Sequence, residues 1–295
     1  MKKLIIPFIL LAAFLTSCED VIDIELSSED KGFYAIEAKI TTLDEPTVRL
    51  SKAQPVSAEQ NVLAVSEAHV TVRDNATPAN IVILVESSET KGLYIVPEGI
   101  DYYGNTNREY TVTIETGDVT MTASDFLYPV EPIDSIRVWP SMRGDKRFLG
   151  IFTYGWEKPG LGDYYKWDIF INDTLLNQAE YIFIADDALV DGNYVDGLEI
   201  FTDFTPPHSD IESQLKYMDV VQVKQQSLSQ FGFEYYYQVL NQSFGGNMFS
   251  VPPANIPGNF TSSDGKEVLG FFVAQDVSVS NAVVVDDYVM SELRD

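Results

Sequence analysis

The sequence predicts a mainly β protein, and three observations support this fold class. Short segments alternate apolar and polar side chains with a period of two, as half-buried strands do. Breaks rich in glycine, proline and asparagine separate these segments. No window of useful length before residue 205 shows helical periodicity. We therefore expect the core to lie between packed sheets.

The first seven predicted strands have the spacing of a β-sandwich. They lie at residues 33–41, 47–51, 69–73, 81–86, 93–96, 110–115 and 119–123. The sequence TGD at 116–118 predicts a tight hairpin between the last two. Seven short strands at this spacing are typical of immunoglobulin or transthyretin-like sandwiches, so we predict such a domain over residues 32–127.

A proline-containing segment, FLYPVEPID at residues 126–134, is predicted to mark a domain boundary. Alternating segments resume beyond it and predict a further set of strands. These lie at residues 135–139, 148–156, 164–172, 181–184, 198–202, 220–225, 268–274 and 282–285. Residues 128–295 are therefore predicted to form a second β-sandwich domain.

One segment of this second domain has the pattern of a helix. Within residues 227–242, apolar side chains such as Phe231 and Tyr235 recur at helical spacing. Ser227 precedes them as a candidate N-cap, and two glycines follow as a stop signal. We predict one α-helix near 227–242, with the rest of the domain in strands.

The N-terminus has the organisation of a secretory signal. Lys2 and Lys3 precede an apolar run of eleven residues at 4–14, too short for the roughly 20 residues that cross a bilayer core. Residues 1–17 are therefore predicted to be a signal peptide. The sequence LTSC that ends at Cys18 resembles a bacterial lipobox, in which the cysteine is acylated and becomes the first mature residue.

Cys18 is the only cysteine in the chain, so lipidation leaves no thiol for a disulfide or a thiolate metal site. We expect its acyl chains to anchor the protein to a membrane that the chain does not span. Residues 18–31 are acidic and polar with isolated aliphatic side chains, and they are predicted to form a tether.

Composition and charge restrict the possible partners. Hydrophobic residues make up 45% of the chain and charged residues 22%, which is typical of a folded protein. The formal net charge of −26 repels phosphate backbones and anionic lipid headgroups. We therefore expect no nucleic-acid partner and no electrostatic binding to membranes.

Catalytic motifs are missing from the sequence. His69 and His208 are the two histidines, and neither has the companion residues of a zinc site. No G-x-S-x-G elbow, Walker loop or G-x-G-x-x-G fingerprint occurs. We predict a protein that is not an enzyme and needs no cofactor. A hydrolase with a carboxylate pair remains an alternative, because some of the 45 acidic residues will lie close together.

The sequence DDALVDGNYVDG at 186–197 contains the best candidates for a metal site. Asp187, Asp191 and Asp196 are carboxylates of the kind that bind calcium. Their spacing does not follow the EF-hand pattern, and aspartate and glycine also favour loops that bind no ion. No metal site is predicted, and these three residues are the candidates if one exists.

Four residues are candidates for ligand or partner binding. Tyr235 and Tyr236 belong to a run of tyrosines that could offer a stacking surface or simply pack in the core. Asn255 and Asn259 lie in the proline-rich segment SVPPANIPGNF at 250–260. Such a stiff segment suits either a preorganised contact surface or a rigid connector in which the asparagines cap local turns.

Several stretches resemble the Bacteroidota lipoprotein family catalogued as domain of unknown function 4249. They are CEDVIDIEL, YAIEAKITTLDEPTVRLSKAQPV, EAHVTVRDN, PVEPIDSI, GDYYKWDIFIND and MFSVPPANIPGNF, followed by EVLGFFVAQDVS. The resemblance spans 18–280 and brings no catalytic residues. It implies a place beside a TonB-dependent transporter in the outer membrane. Glu19 and Asp20 also resemble a surface-export signal, although its basic lead residue is absent.

These observations predict a lipid-anchored outer-membrane lipoprotein. Its expected role is a non-enzymatic accessory or substrate-binding partner of a TonB-dependent import system. A structural or adhesive surface lipoprotein is the main alternative, and the carboxylate-based hydrolase is a third hypothesis. Display at the cell surface is expected, with the periplasmic face left open.

Overall fold

Strands dominate the part of the chain that this computed structural model describes, residues 33–53, 63–203, 214–244 and 255–294. The strands are β1 (Tyr34–Thr41), β2 (Thr47–Lys52), β3 (Leu63–Ala64), β4 (His69–Asp74), β5 (Ile81–Glu86), β6 (Leu93–Ile95), β7 (Arg108–Thr116), β8 (Val119–Leu127), β9 (Ser135–Arg143), β10 (Lys146–Trp156), β11 (Tyr164–Ile171), β12 (Thr174–Leu175), β13 (Phe183–Asp186), β14 (Tyr194–Thr202), β15 (Val220–Leu228), β16 (Thr261–Ser262), β17 (Val268–Gln275), β18 (Val277–Val279) and β19 (Val283–Val284). The described helices are α1 (Gln230–Phe244), α2 (Asp287–Arg294) and a 3₁₀ turn at Ala179–Tyr181. The prediction of a mainly β fold is confirmed.

The first sheet curves around its own core. Its strand order is β16-β8-β7-β4-β5-β6-β2-β1-β17, with β3 beside β2. Alternate side chains point inwards along each strand, as Ile36, Ala38 and Ile40 do in β1. β8 and β17 lie near opposite ends of the order, yet the Ala274 N–H of β17 donates to Asp125 Oδ2 of β8 at 2.9 Å. The sheet therefore bends until its two ends meet.

Two smaller sheets form a sandwich over a second core. The second sheet has the order β14-β10-β9, and the third has the order β12-β11-β15-β18, with β13 beside β11 and β19 beside β15. Ile151 of β10 packs in the same cluster as Ile169 of β11 and Val223 of β15. Val289 of α2 joins this cluster, so the helix covers part of the same core.

The first sheet takes strands from both of the predicted domains. β17 pairs in parallel with β1, from Tyr34 opposite Val268 to Thr41 opposite Gln275. β16 pairs in antiparallel fashion with β8. A parallel pair needs a long connection, and here the rest of the chain supplies it. The division into two domains between residues 127 and 128 stays a prediction. β17 belongs to the second predicted domain by sequence, but it pairs with β1 of the first.

The predicted helix is present as α1, with a different start. Ser227 is not its N-cap, because this residue still pairs with Tyr165 in the third sheet. Ser229 has the capping role, since its Oγ accepts the Gly232 N–H at 3.1 Å. α2 was not predicted from the sequence. No helix within the described residues is both long enough and apolar enough to traverse a membrane.

Candidate functional site

Side chains alternate between the two faces of a strand, so the first and the third sheet each have one face that points away from its own core. In β17, Phe272 and Ala274 point into the first core, so Phe271, Val273 and Gln275 point to the opposite side. The third sheet behaves in the same way. Its odd-numbered β11 residues enter the second core, and the even-numbered residues of β11 face away from it. These two outer faces, together with α1, enclose a cavity.

This cavity has a volume of about 360 Å³, within the range of about 300–1,000 Å³ that is common for small-molecule sites. We call it the inter-sheet cavity. Its lining combines apolar, aromatic, amide and charged residues from β1, β11, β12, β15, β17, β18, α1 and nearby loops. The residues are Ile36, Glu37, Ala38, Lys39, Thr41, Asp44, Lys166, Asp168, Phe170, Leu175, Leu176, Asn177, Ile182, Lys224, Gln226, Tyr235, Tyr236, Phe271, Val273, Gln275 and Val277.

Four of the six charged side chains at the cavity wall are paired with each other. Asp168 accepts hydrogen bonds from the Lys166 ammonium on one oxygen and from the Gln226 amide on the other. Lys166 is only 8% exposed, so this pairing compensates the cost of burying its charge. Lys224 Nζ lies 3.7 Å from Asp44 Oδ2 nearer the surface. The wall is therefore polar but locally neutral.

Gln275 provides an unused hydrogen-bond donor. The residue is 4% exposed, and its Nε2 has no hydrogen-bond partner among the described residues. A buried polar group without a partner costs about 1–3 kcal/mol. Gln275 lines the inter-sheet cavity, and although its Nε2 is itself covered, a rotation of the amide would present this donor to an acceptor inside the cavity.

The predicted binding residues Tyr235 and Tyr236 both line the inter-sheet cavity. The Tyr235 ring stacks on Phe271 with centroids 4.9 Å apart and an interplanar angle of 27°. Lys166 Nζ lies 5.4 Å from the centroid of the Tyr236 ring. Burial raises the pKa of both phenols further above their usual value of 10.0, so both hydroxyls are neutral at physiological pH. Their packing and their access to the cavity are both present, while binding stays a prediction.

A separate acidic cluster lies beside β10 and β11. Glu157, Asp163 and Asp187 each place one carboxylate oxygen within 4.8 Å of the others. Tyr165 donates to Glu157 Oε1 at 2.6 Å, and Lys158 Nζ lies 2.7 Å from Asp163 Oδ1. Burial, with smaller contributions from the two neighbouring aspartates, raises the pKa of the Glu157 carboxyl. The tyrosine hydroxyl and the lysine ammonium thus offset part of the repulsion among these acids.

Only one of the three predicted metal candidates lies in this cluster. Asp187 belongs to it, whereas Asp191 Oδ1 accepts the Gly160 N–H at 2.6 Å. Asp196 is an exposed residue of β14. The sequence did not indicate Glu157 or Asp163, because each is a single acid far along the chain from the aspartate-rich loop.

The two predicted asparagines have different surroundings. Asn259 Nδ2 donates to the Phe272 carbonyl at 2.8 Å, and its Oδ1 accepts the Phe272 N–H at 2.9 Å. The same Nδ2 reaches the Ser124 carbonyl of β8 at 3.2 Å. Asn255 is exposed and donates to Glu267 Oε2 at 3.1 Å. Asn259 therefore bridges the two ends of the first sheet, and Asn255 makes a surface contact.

The remaining predicted positions are simple to place. His69 is exposed on β4, consistent with an outward strand residue. Cys18, His208 and residues 250–254 lie outside the described residues.

Comparison with protein families identifies the chain. A model of the family described as "Domain of unknown function (DUF4249)" matches residues 19–281. The chain belongs to this family. The predicted resemblance is thus confirmed, and the match of this DUF4249 protein includes every residue that lines the inter-sheet cavity. No curated protein matches the chain.

Sequence reasoning found the two tyrosines of this DUF4249 protein but missed its polar cavity residues. Lys166 and Asp168 occur in the stretch GDYYKWDIFIND, within the predicted strand at 164–172, where nothing in the pattern distinguishes them as cavity residues. Gln275 ends the otherwise apolar strand VLGFFVAQ. The available signal was an apolar strand pattern that ends in a glutamine. This pattern does not show what the glutamine side chain faces.

Proposed function

We propose that this protein is a lipid-anchored outer-membrane lipoprotein that serves as the non-enzymatic, substrate-binding partner of a TonB-dependent import system. The inter-sheet cavity is the observation that carries the binding role. It combines a ligand-sized volume of about 360 Å³ with an unused buried donor at Gln275. These features suit a ligand that is held by shape and hydrogen bonds.

The chemistry of the cavity wall favours binding over catalysis. Lys166 and Asp168 neutralise each other, and Gln226 occupies the second oxygen of the carboxylate. A general base or nucleophile needs an accessible group with a suitable pKa, whereas this carboxylate is already held by two donors. Turnover of any pooled glycan or peptide by the purified protein would contradict the non-enzymatic proposal.

The location rests on the N-terminal sequence and on the family. A short basic segment, an apolar run and LTSC at 15–18 support lipidation at Cys18. Membership in the family supports a position beside a TonB-dependent transporter in the outer membrane. Glu19 and Asp20 support display at the cell surface.

Fractionation and copurification test this proposal. We expect the tagged wild-type protein to copurify with a large barrel protein from gently solubilised outer membrane. Cys18→Ser should move the protein to a soluble or unprocessed fraction and abolish this copurification. Ser27→Ala, in the predicted tether, is the matched control and should behave as wild type. A Cys18→Ser protein that is processed and membrane-bound would refute the anchor, and an absent barrel would refute the partnership.

A further inference from the structure

Resting on the proposed substrate-binding role, we infer the chemical class of the ligand. The inter-sheet cavity takes an uncharged, hydroxyl-rich ring compound of one or two rings, such as a neutral mono- or disaccharide. Charge pairing, hydrogen-bond chemistry and the apolar part of the wall each lead to this class.

Charge pairing disfavours ionic ligands. A charged ligand loses much hydration energy on entering the cavity unless an unpaired opposite charge or a full set of hydrogen bonds replaces the water. Lys166 already contacts Asp168, and Lys224 faces Asp44 at 3.7 Å. The two other charged lining residues, Glu37 and Lys39, are exposed. Among the described residues that line the cavity, every charge that is not exposed is therefore already paired.

The hydrogen-bonding groups favour hydroxyls. Gln275 Nε2 is a buried donor without a partner among the described residues, and it needs an acceptor. Tyr235 and Tyr236 line the cavity, and a phenol can both donate and accept a hydrogen bond. A hydroxyl can itself donate and accept, so a hydroxyl-rich ligand can satisfy neighbouring groups of either kind. A hydrocarbon ligand would leave Gln275 unpaired.

The apolar part of the wall fits the faces of saturated rings. Phe170, Val273 and Phe271 supply aliphatic and aromatic surface between the polar groups. A sugar ring places C–H groups on its faces and hydroxyls around its edge, so it can contact these side chains while a hydroxyl on its edge pairs with the rotated Gln275 amide. The volume of about 360 Å³ allows one or two such rings.

Calorimetric titration of the full-length protein tests this inference. The detergent should be an amine oxide, because maltoside detergents carry a sugar. The neutral probes are glucose, galactose, N-acetylglucosamine, maltose, cellobiose and lactose. Glucuronic acid, glucosamine and dialanine are charged probes of similar size. We expect at least one neutral probe to bind with a Kd below about 1 mM, and none of the charged probes to bind as tightly.

Gln275→Met removes the donor and keeps the length of the side chain. The Kd of the probe that binds should rise about tenfold. The Tm of the unliganded protein should not fall, because the substitution removes an amide that has no partner. Gln238→Met, on an exposed part of α1, is the matched control and should bind as wild type. If Gln275→Met does not fold, Tyr236→Phe removes one hydroxyl from the same cavity and should also weaken binding.

Two results would overturn the inference. One is that no neutral probe binds, as expected if water alone satisfies Gln275. The other is that a charged probe binds most tightly and that its affinity depends on Gln275. Copurification with the barrel is measured separately. A protein that copurifies but binds no neutral probe would refute the ligand class alone, and one that binds a sugar without a barrel would refute the partnership alone.

Discussion

Asn259 uses its side-chain amide as a substitute for a neighbouring strand. Its two bonds to the Phe272 backbone satisfy one N–H and one carbonyl on the free edge of β17. A third bond reaches Ser124 on β8. Of the two roles predicted for this asparagine, the geometry favours the one that serves the fold.

Asn259→Ala should therefore lower the free energy of unfolding by about 2–4 kcal/mol, because it leaves backbone groups of Phe272 without partners. Asn255→Ala is the matched control and should cost less than about 0.5 kcal/mol, because that side chain is exposed. Urea unfolding of both variants measures the difference. Equal small losses, with weaker capture by the transporter, would instead establish this loop as an interface.

Asp125 adds a pH-dependent contribution to stability. Burial raises the pKa of its carboxyl from 3.8 to about 6, although Ser229 and the Ala274 N–H partly oppose the shift. Between pH 3.8 and about 6, the folded state thus holds a proton that the unfolded state has released. This group stabilises the fold most below pH 3.8, and the contribution is lost as the pH rises through about 6.

Asp125→Asn keeps an acceptor for Ala274 and has no charge to bury. We expect this variant to be more stable than wild type at pH 7 by about 1–3 kcal/mol, with the advantage disappearing near pH 4. Chemical unfolding across this pH range measures the difference between the two proteins. Parallel stability profiles would show that the Asp125 pKa is not raised in the fold.

At the scale of elements, α1 has two different faces. Phe231 is 73% exposed, whereas Phe233 packs its ring 4.9 Å from Tyr164 of β11. Phe233→Ala should cost about 2–4 kcal/mol, and Phe231→Ala, the same substitution on the solvent side, should change stability by less than about 0.5 kcal/mol. Thermal or urea unfolding compares them. A large loss for Phe231→Ala would mean that its ring is covered in solution.

The sequence predicted elements wherever one face is buried over several residues. The alternation in β1, β4 and β7 continues for six residues or more, and their positions were predicted correctly. Two-residue strands such as β3 and β12 have no detectable period, and the eight residues of α2 are too few for a clear helical pattern.

The pairing of strands and the inter-sheet cavity could not be predicted from local alternation. The parallel partner of β1 lies more than 200 residues further along the chain, and alternation does not identify the neighbour of a strand. Gln275 and Lys166 meet at one cavity only because their sheets turn outer faces towards each other. The candidate site therefore depends on long-range packing, while each of its strands was predicted locally.

At the scale of the whole molecule, β17 connects the first core with the inter-sheet cavity. Phe272 and Ala274 are fully buried in the first core, and Phe271 and Gln275 line the cavity on the other side of the strand. A chain of residues 33–127 keeps the strands of the predicted first domain but loses this edge. Its core would then be open along β1, at a cost of several kcal/mol for the lost apolar burial alone.

We therefore expect residues 33–127 alone to show no cooperative unfolding transition, and expect the segment 255–276 to restore one. A short Gly-Ser linker can join residue 127 to residue 255. Thr261 lies opposite Thr122 in an antiparallel pair, so the residues that precede Thr261 lie towards the end of β8 at residue 127. Circular dichroism during urea unfolding compares the two chains. The linked chain with Phe272→Asp is the control and should stay unfolded, since it buries a charge in the same core. Cooperative unfolding of residues 33–127 without the segment would show that the predicted first domain folds independently and that β17 only covers its edge.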